Sequence, residues 1–144
     1  MAPSNDPHDL QRFVDAQYPV FEQARSELRA GQKQGHWMWF IFPQLKGLGH
    51  SQLASRYGIA SREEAEAYLK HPTLGPRLIE CSQLINQVGD RSIDEILGYP
   101  DNLKFRSSMT LFALVSPDDH VFQRALEKYF AGQFDPRTVD IMKP

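Results

Sequence analysis

The chain has 144 residues, of which 41% are apolar, 11% aromatic and 24% charged, with a formal net charge of −2. This is the length of one domain and a composition able to build a core, which excludes a disordered chain, and the near-neutral charge argues against a domain-wide nucleic-acid surface. A single cysteine, Cys81, excludes an internal disulfide and points to a reducing cytoplasm, while the longest purely apolar run is six residues where a membrane-spanning helix needs about 20.

Residues 1–8 lack the basic and apolar stretches of a signal peptide and read as a short flexible leader to a single helical domain over 9–144. Leu10, Phe13, Val14, Phe21, Ala24 and Leu28 recur at helical spacing around Pro19. Two short helices or one kinked helix are expected, closed by Gly31. Arg25, Arg29 and Lys33 follow four apart and are expected on the outer face. The unbroken block Trp37-Met38-Trp39-Phe40-Ile41-Phe42 covers all sides of a helix or both faces of a strand, so it is core in either form.

Ser51 starts a helix that Gly58 stops. Ser61 with Glu64, and Ser92 with Glu95, have capping-box spacing. Leu74, Leu78, Cys81, Ile85 and Val88 step by fours and threes, a single apolar stripe for a helix from Pro72 to Val88. Asp101 can cap a helix running to Val115, and Asp118 or Asp119 can start one ended by Gly132. Asp135-Pro136 reads as a turn opening the tail. No other stretch alternates with period two. The expected fold is all-α, a compact single domain of about seven or eight short helices.

Lys104 and Ser108 fall on the apolar side of the helix that follows Asp101, one turn apart and therefore neighbours. A lysine there must snorkel, pair with a carboxylate or face a cavity, and an anion such as phosphate is the ligand it suits. Lys104 as base to a Ser108 nucleophile is the weaker reading, because no GxSxG or SxxK motif accompanies it. Gly47 and Gly49 precede Ser51, and glycine-rich backbone before a helix suits an anion, although the spacing matches neither a Rossmann fingerprint nor a P-loop. His36 and His50 flank the aromatic block and are the acid–base candidates. The five histidines show no metal-ligand spacing, so neither a metal nor another cofactor is expected. His71, before Pro72, reads as structural, and Cys81, within the apolar stripe, as inert. Trp37 or Trp39 could stack on a ring while Gln44 reads its edge.

The runs KQGHWMWFIFPQLKGLGHS, YLKHPTLGPRL and KFRSSMTLF, in that order, resemble the Rv1873-like family of unknown function, family eighteen-ten, whose members are often mislabelled calpastatin. The resemblance spans about Leu10 to Val139 and implies a compact, mostly helical domain. It implies no activity and hence no catalytic residues. The family's recurring polar positions correspond here to Lys33, His36, Trp37, Trp39, Gln44, Gly47, Gly49, Ser51, Lys104, Ser107, Ser108 and Thr110. Phe105 stands where an aliphatic residue is expected. A looser similarity to the YbiA-like family, at the level of fold class, adds little.

The leading functional expectation is a cytoplasmic site for a small anionic ligand, nucleotide- or sugar-phosphate-like, with hydrolysis as the reaction to consider. Lys33, Trp37, Trp39, Gln44, Gly47, Gly49, Ser51, Lys104, Ser107 and Ser108 are its binding candidates, and His36 and His50 its catalytic ones. The alternative is a protein–protein interaction module without catalysis, using the aromatics and the Arg25/Arg29/Lys33 face. Nucleic-acid binding ranks third, against the net charge. Whether the chain is an enzyme, and its oligomeric state, stay open at this level.

Overall fold

Ten short helices follow one another through residues 6–143, the residues that the computed structural model describes. They are α1 (Gln11–Gln17), α2 (Phe21–Ala30), α3 (Met38–Ile41), α4 (Gln52–Arg56), α5 (Arg62–Lys70), α6 (Leu74–Asn86), α7 (Ile93–Leu97), α8 (Asp101–Val115), α9 (His120–Phe130) and α10 (Pro136–Met142). The domain is all-helical and compact, as the spacing predicts. The helix count exceeds the expected seven or eight partly because Asp135-Pro136 opens α10: Asp135 accepts the Thr138 N–H and Pro136 supplies a first helical residue with its φ preset. Residues 1–5 of the expected leader, and Pro144, lie outside the described residues. Residues 6–8 are tied in: the Asp6 carboxylate accepts the Leu10 and Gln11 N–H groups, and the His8 carbonyl accepts from Arg12.

α8 is the spine. From Phe105 to Ala113 it is buried residue after residue except at Arg106, and it packs against α9, α10, α5 and α7. A helix surrounded in this way has little polar face, so its lysine and serines stand on or beside its apolar side. Two aromatic chains run through the core. One links Phe13, Tyr68, Phe112 and Phe122, and the other links Trp37, Phe42, Phe105 and Phe130. Full burial of one such ring contributes about 2 kcal/mol.

The apolar block folds as the single turn α3 with flanking residues. Trp37, Met38, Ile41 and Phe42 are buried, while Trp39 and Phe40 are half-buried. After it, residues 43–59 close on themselves: Ile59 N–H donates to the Gln44 carbonyl and Lys46 N–H to the Ile59 carbonyl, an isolated parallel bridge between Leu45 and Ile59. That closure fixes the segment carrying Gln44, Leu48 and Gly49. A Cβ on Gly49 would lie 2.6 Å from the Ala54 Cβ, so glycine is what lets this segment sit against α4.

The capping boxes differ. Ser92 and Glu95 form the full reciprocal pair. Ser61 caps α5 through the Glu64 N–H, but the Glu64 carboxylate goes to the Ala60 N–H and to Arg12. Asp101 does not cap α8. It is the helix's first residue, behind Pro100, and its carboxylate faces two lysines. The expected basic face also dissolves: Arg25 pairs with Glu22 and Glu80, Arg29 is exposed, and Lys33 turns inward.

Candidate functional site

Glu27, on α2, sets the path of the chain into the aromatic block. Its Oε1 accepts from the Gln34 and Gly35 N–H groups and the Trp37 indole N–H, and its Oε2 accepts from Gln23. Burial opposes its ionisation, yet the donors of Gly35, Gln34, Gln23 and Trp37 outweigh it and hold the carboxyl down at about 2, from an ordinary 4.5. Trp37 is thereby spent on structure. It is fully buried and cannot stack on a ligand.

Lys33 comes next. Its Nζ lies 2.8 Å from Asp101 and 5.2 Å from the Trp37 ring centre, with 9% of the side chain exposed. It is an internal tie between the chain before α3 and the start of α8. Lys104 shares the same carboxylate more loosely, at 3.4 Å, and lies 4.8 Å over the ring centre of Trp39. The Trp39 indole N–H is buried and has no hydrogen-bond partner among the described residues. Lys104 is therefore propped between the Trp39 ring and the Asp101 carboxylate, with its side chain still partly exposed.

That ammonium borders a cleft of about 270 Å³. One wall is the closed loop, through Gln44, Leu48 and Gly49. Another is α8 with Pro100 ahead of it, through Leu103, Lys104, Arg106 and Ser107. The third is the start of α10, through Asp135 and Arg137. Three cations and one carboxylate line a small recess, an arrangement that favours an anion. The carboxylate is already engaged, because Asp135 Oδ2 accepts from Ser107 Oγ at 3.0 Å and from the backbone and hydroxyl of Thr138. Arg106 is held by the Gln133 and Phe134 carbonyls, which fixes its guanidinium at the rim.

The structure thus brings Gln44, Gly49, Lys104 and Ser107 into one recess, with Trp39 beneath Lys104. It leaves others out. Gly47 has φ 99° and is exposed, away from the lining. Ser51 spends its hydroxyl on the Ala54 N–H, capping a helix of five residues. Ser108 is fully buried with an unpartnered hydroxyl, so no substrate reaches it as it stands. His36 and His50 are exposed and do not line the recess. Cys81 is buried, and burial pushes its thiol up to about 12, which leaves it uncharged at neutral pH. His71 Nδ1 accepts the Thr73 and Leu74 N–H groups at the start of α6, a structural role.

Sequence reading missed Arg106, Asp135 and Arg137. Arg106 lies outside the apolar arc of its helix and looks like surface. The Asp-Pro pair was a usable signal, because Asp before Pro is also a helix start, and a helix there carries Arg137 back toward α8. Among the described residues no three or more His, Cys, Asp or Glu side chains gather as metal ligands, and no helix is long and apolar enough to cross a membrane.

A family model described as protein of unknown function (DUF1810) matches residues 7–142. A search of curated proteins gave no match. Among solved structures, the conserved hypothetical protein Rv1873 from Mycobacterium tuberculosis is 60% identical, with a TM-score of 0.94 over 95% of this chain and 98% of that one.

Proposed function

The chain belongs to the DUF1810 family of proteins of unknown function, and we propose from its geometry that the recess between the 44–49 loop, α8 and α10 binds a small anionic ligand. The observation that carries this is the convergence of Lys104, Arg106 and Arg137 on one concavity whose only lining carboxylate, Asp135, is already hydrogen-bonded. Ser107, Gln44 and the Gly49 backbone supply polar contacts around the charge. A phosphate-bearing molecule of sugar-phosphate size suits the volume. The N-terminus of α4 does not contribute: the helix has five residues and Ser51 already caps it.

Binding without hydrolysis is the form best supported. The recess holds no histidine, and its one carboxylate is occupied in positioning Ser107 and Thr138. The cytoplasm remains the proposed compartment, on the single unpaired thiol. The second reading, an interaction module, is favoured by two exposed apolar side chains, Leu103 at 48% in the lining of the recess and Tyr99 at 80%, next in the chain to the lining Pro100.

The test is thermal unfolding in the presence of inorganic phosphate and simple sugar phosphates. Saturating ligand raises the Tm of the wild type, and the shift is lost in Arg137→Ala and reduced in Lys104→Ala. A shift that survives both substitutions unchanged removes the recess from consideration. No shift with any phosphate, together with a constant stoichiometric protein partner, favours the interaction module.

A further inference from the structure

The recess does not end at its rim. Leu103 and Arg106, one turn apart on α8, also line a second and wider cleft of about 490 Å³ on the far side of the helix ridge. The two clefts share a wall, and the second adds aromatic rings to a similar set of charges: it is backed by Tyr129 and Phe130 and edged by Lys128, all from α9, by Arg91, Ser92 and Asp94 around the start of α7, and by Asn102 of α8. Lys128 is already held by the Asn86 and Val88 carbonyls.

We propose that the ligand is a nucleoside phosphate lying across Leu103 and Arg106, with its phosphate in the first cleft and its base and sugar in the second; this rests on the anion-binding reading above. The first cleft alone, at about 270 Å³, falls just below the range of about 300–1,000 Å³ typical of a ligand site, and the two together fall within that range. The wall between them is formed by Leu103, about half exposed, and Arg106.

The second cleft offers what a base and sugar need. Phe130 meets Phe105 at 6.2 Å between ring centres, the Arg106 guanidinium lies over its ring at 5.9 Å, and the Lys128 ammonium lies over the Tyr129 ring at 5.3 Å. The Tyr129 hydroxyl is anchored on the Ile85 carbonyl. These rings are therefore fixed, which lowers the ordering cost of stacking against them. Arg91 is exposed and offers a planar guanidinium, a surface on which bases stack. Ser92 Oγ already accepts the Glu95 N–H and Asp94 Oδ1 the Asn102 amide, so the acceptor left at the edge for a sugar hydroxyl or an exocyclic amine is the second carboxylate oxygen of the exposed Asp94. Arg106, tied to two carbonyls, keeps its charge at the junction of the two halves.

The experiment is calorimetric titration of the full chain with inorganic phosphate and with adenosine monophosphate. Adenosine monophosphate is expected to bind about tenfold tighter than phosphate or better, the worth of one stacked base. Arg91→Ala, an exposed change that leaves the core intact, and Phe130→Leu each weaken adenosine monophosphate by about threefold or more and leave phosphate unaffected. Arg137→Ala weakens both. Phosphate binding with no gain from the nucleoside, or a gain that both Arg91→Ala and Phe130→Leu retain, overturns the two-cleft ligand while leaving the anion recess standing. Failure of both probes to bind overturns the recess as well.

Discussion

At Asp101 two lysines meet one carboxylate, and the two pairs differ in kind. Lys33 is nearly enclosed and 2.8 Å away, whereas Lys104 is more open and 3.4 Å away. Removing the carboxylate leaves Lys33 charged and unpaired in a site with little water. Asp101→Asn is expected to cost about 3 kcal/mol in urea unfolding, because a buried ion loses its counterion. Lys104→Ala removes a looser pair and is expected to cost about 1 kcal/mol or less. Equal losses in the two variants contradict this division of labour.

Glu27 gives the residue-scale prediction for pH. Its carboxyl titrates near 2 in the folded chain and near the ordinary 4.5 when unfolded. The depressed value means its contribution is complete above about 4.5 and is lost as pH falls toward 2. Glu27→Gln keeps the shape and removes the charge. At neutral pH it is expected to lower stability by about 2 kcal/mol. Between pH 4.5 and 2 it is expected to flatten the fall in Tm seen in the wild type. A variant that melts in parallel with the wild type down to pH 2 refutes the assignment.

At the scale of elements, the approach of α5 to α6 rests on Gly75. A Cβ there would lie 2.0 Å from the Leu69 carbonyl oxygen, which is backbone and cannot swing aside. Gly75→Ala is expected to destabilise by about 3 kcal/mol, the upper part of the usual overpacking range. Gly89, after α6, meets nothing within 4 Å, so Gly89→Ala is the neutral control in the same thermal melts. The elements also show how far local signals reach. Ser61 and Ser92 cap their helices as the spacing predicts, since a cap is built within one turn. The partner of Glu64 was not legible, because Arg12 arrives from a helix 52 residues away. Asp101 failed as a cap for the same kind of reason: distant Lys33 draws on its carboxylate.

For the whole molecule, the net charge of −2 conceals a local cationic recess, because the cations come from different elements. Lys104 and Arg106 lie on α8 and Arg137 on α10, and the loop facing them carries Gln44 and Gly49. Charge counting along the chain averages over such convergence. The apolar block behaves in the opposite way. Its burial was legible, since six adjacent apolar side chains leave no polar face, but which of its tryptophans stays reachable was not. Glu27 takes the Trp37 indole, and Lys104 covers Trp39.

By itself the sequence determined the all-helical class, the caps and breaks that delimit most helices, the burial of the block and of the α6 stripe, and the family, because these depend on neighbours within a few residues or on the unbroken text. Only the tertiary structure decided that Lys33 and Trp37 are internal ties, that Ser108 is sealed, that His36 and His50 stand apart, and that Arg106, Asp135 and Arg137 join Lys104. Those outcomes depend on which side chains from distant segments reach the same carboxylate or the same recess, and α8, buried almost all round, carries no polar stripe that would announce it.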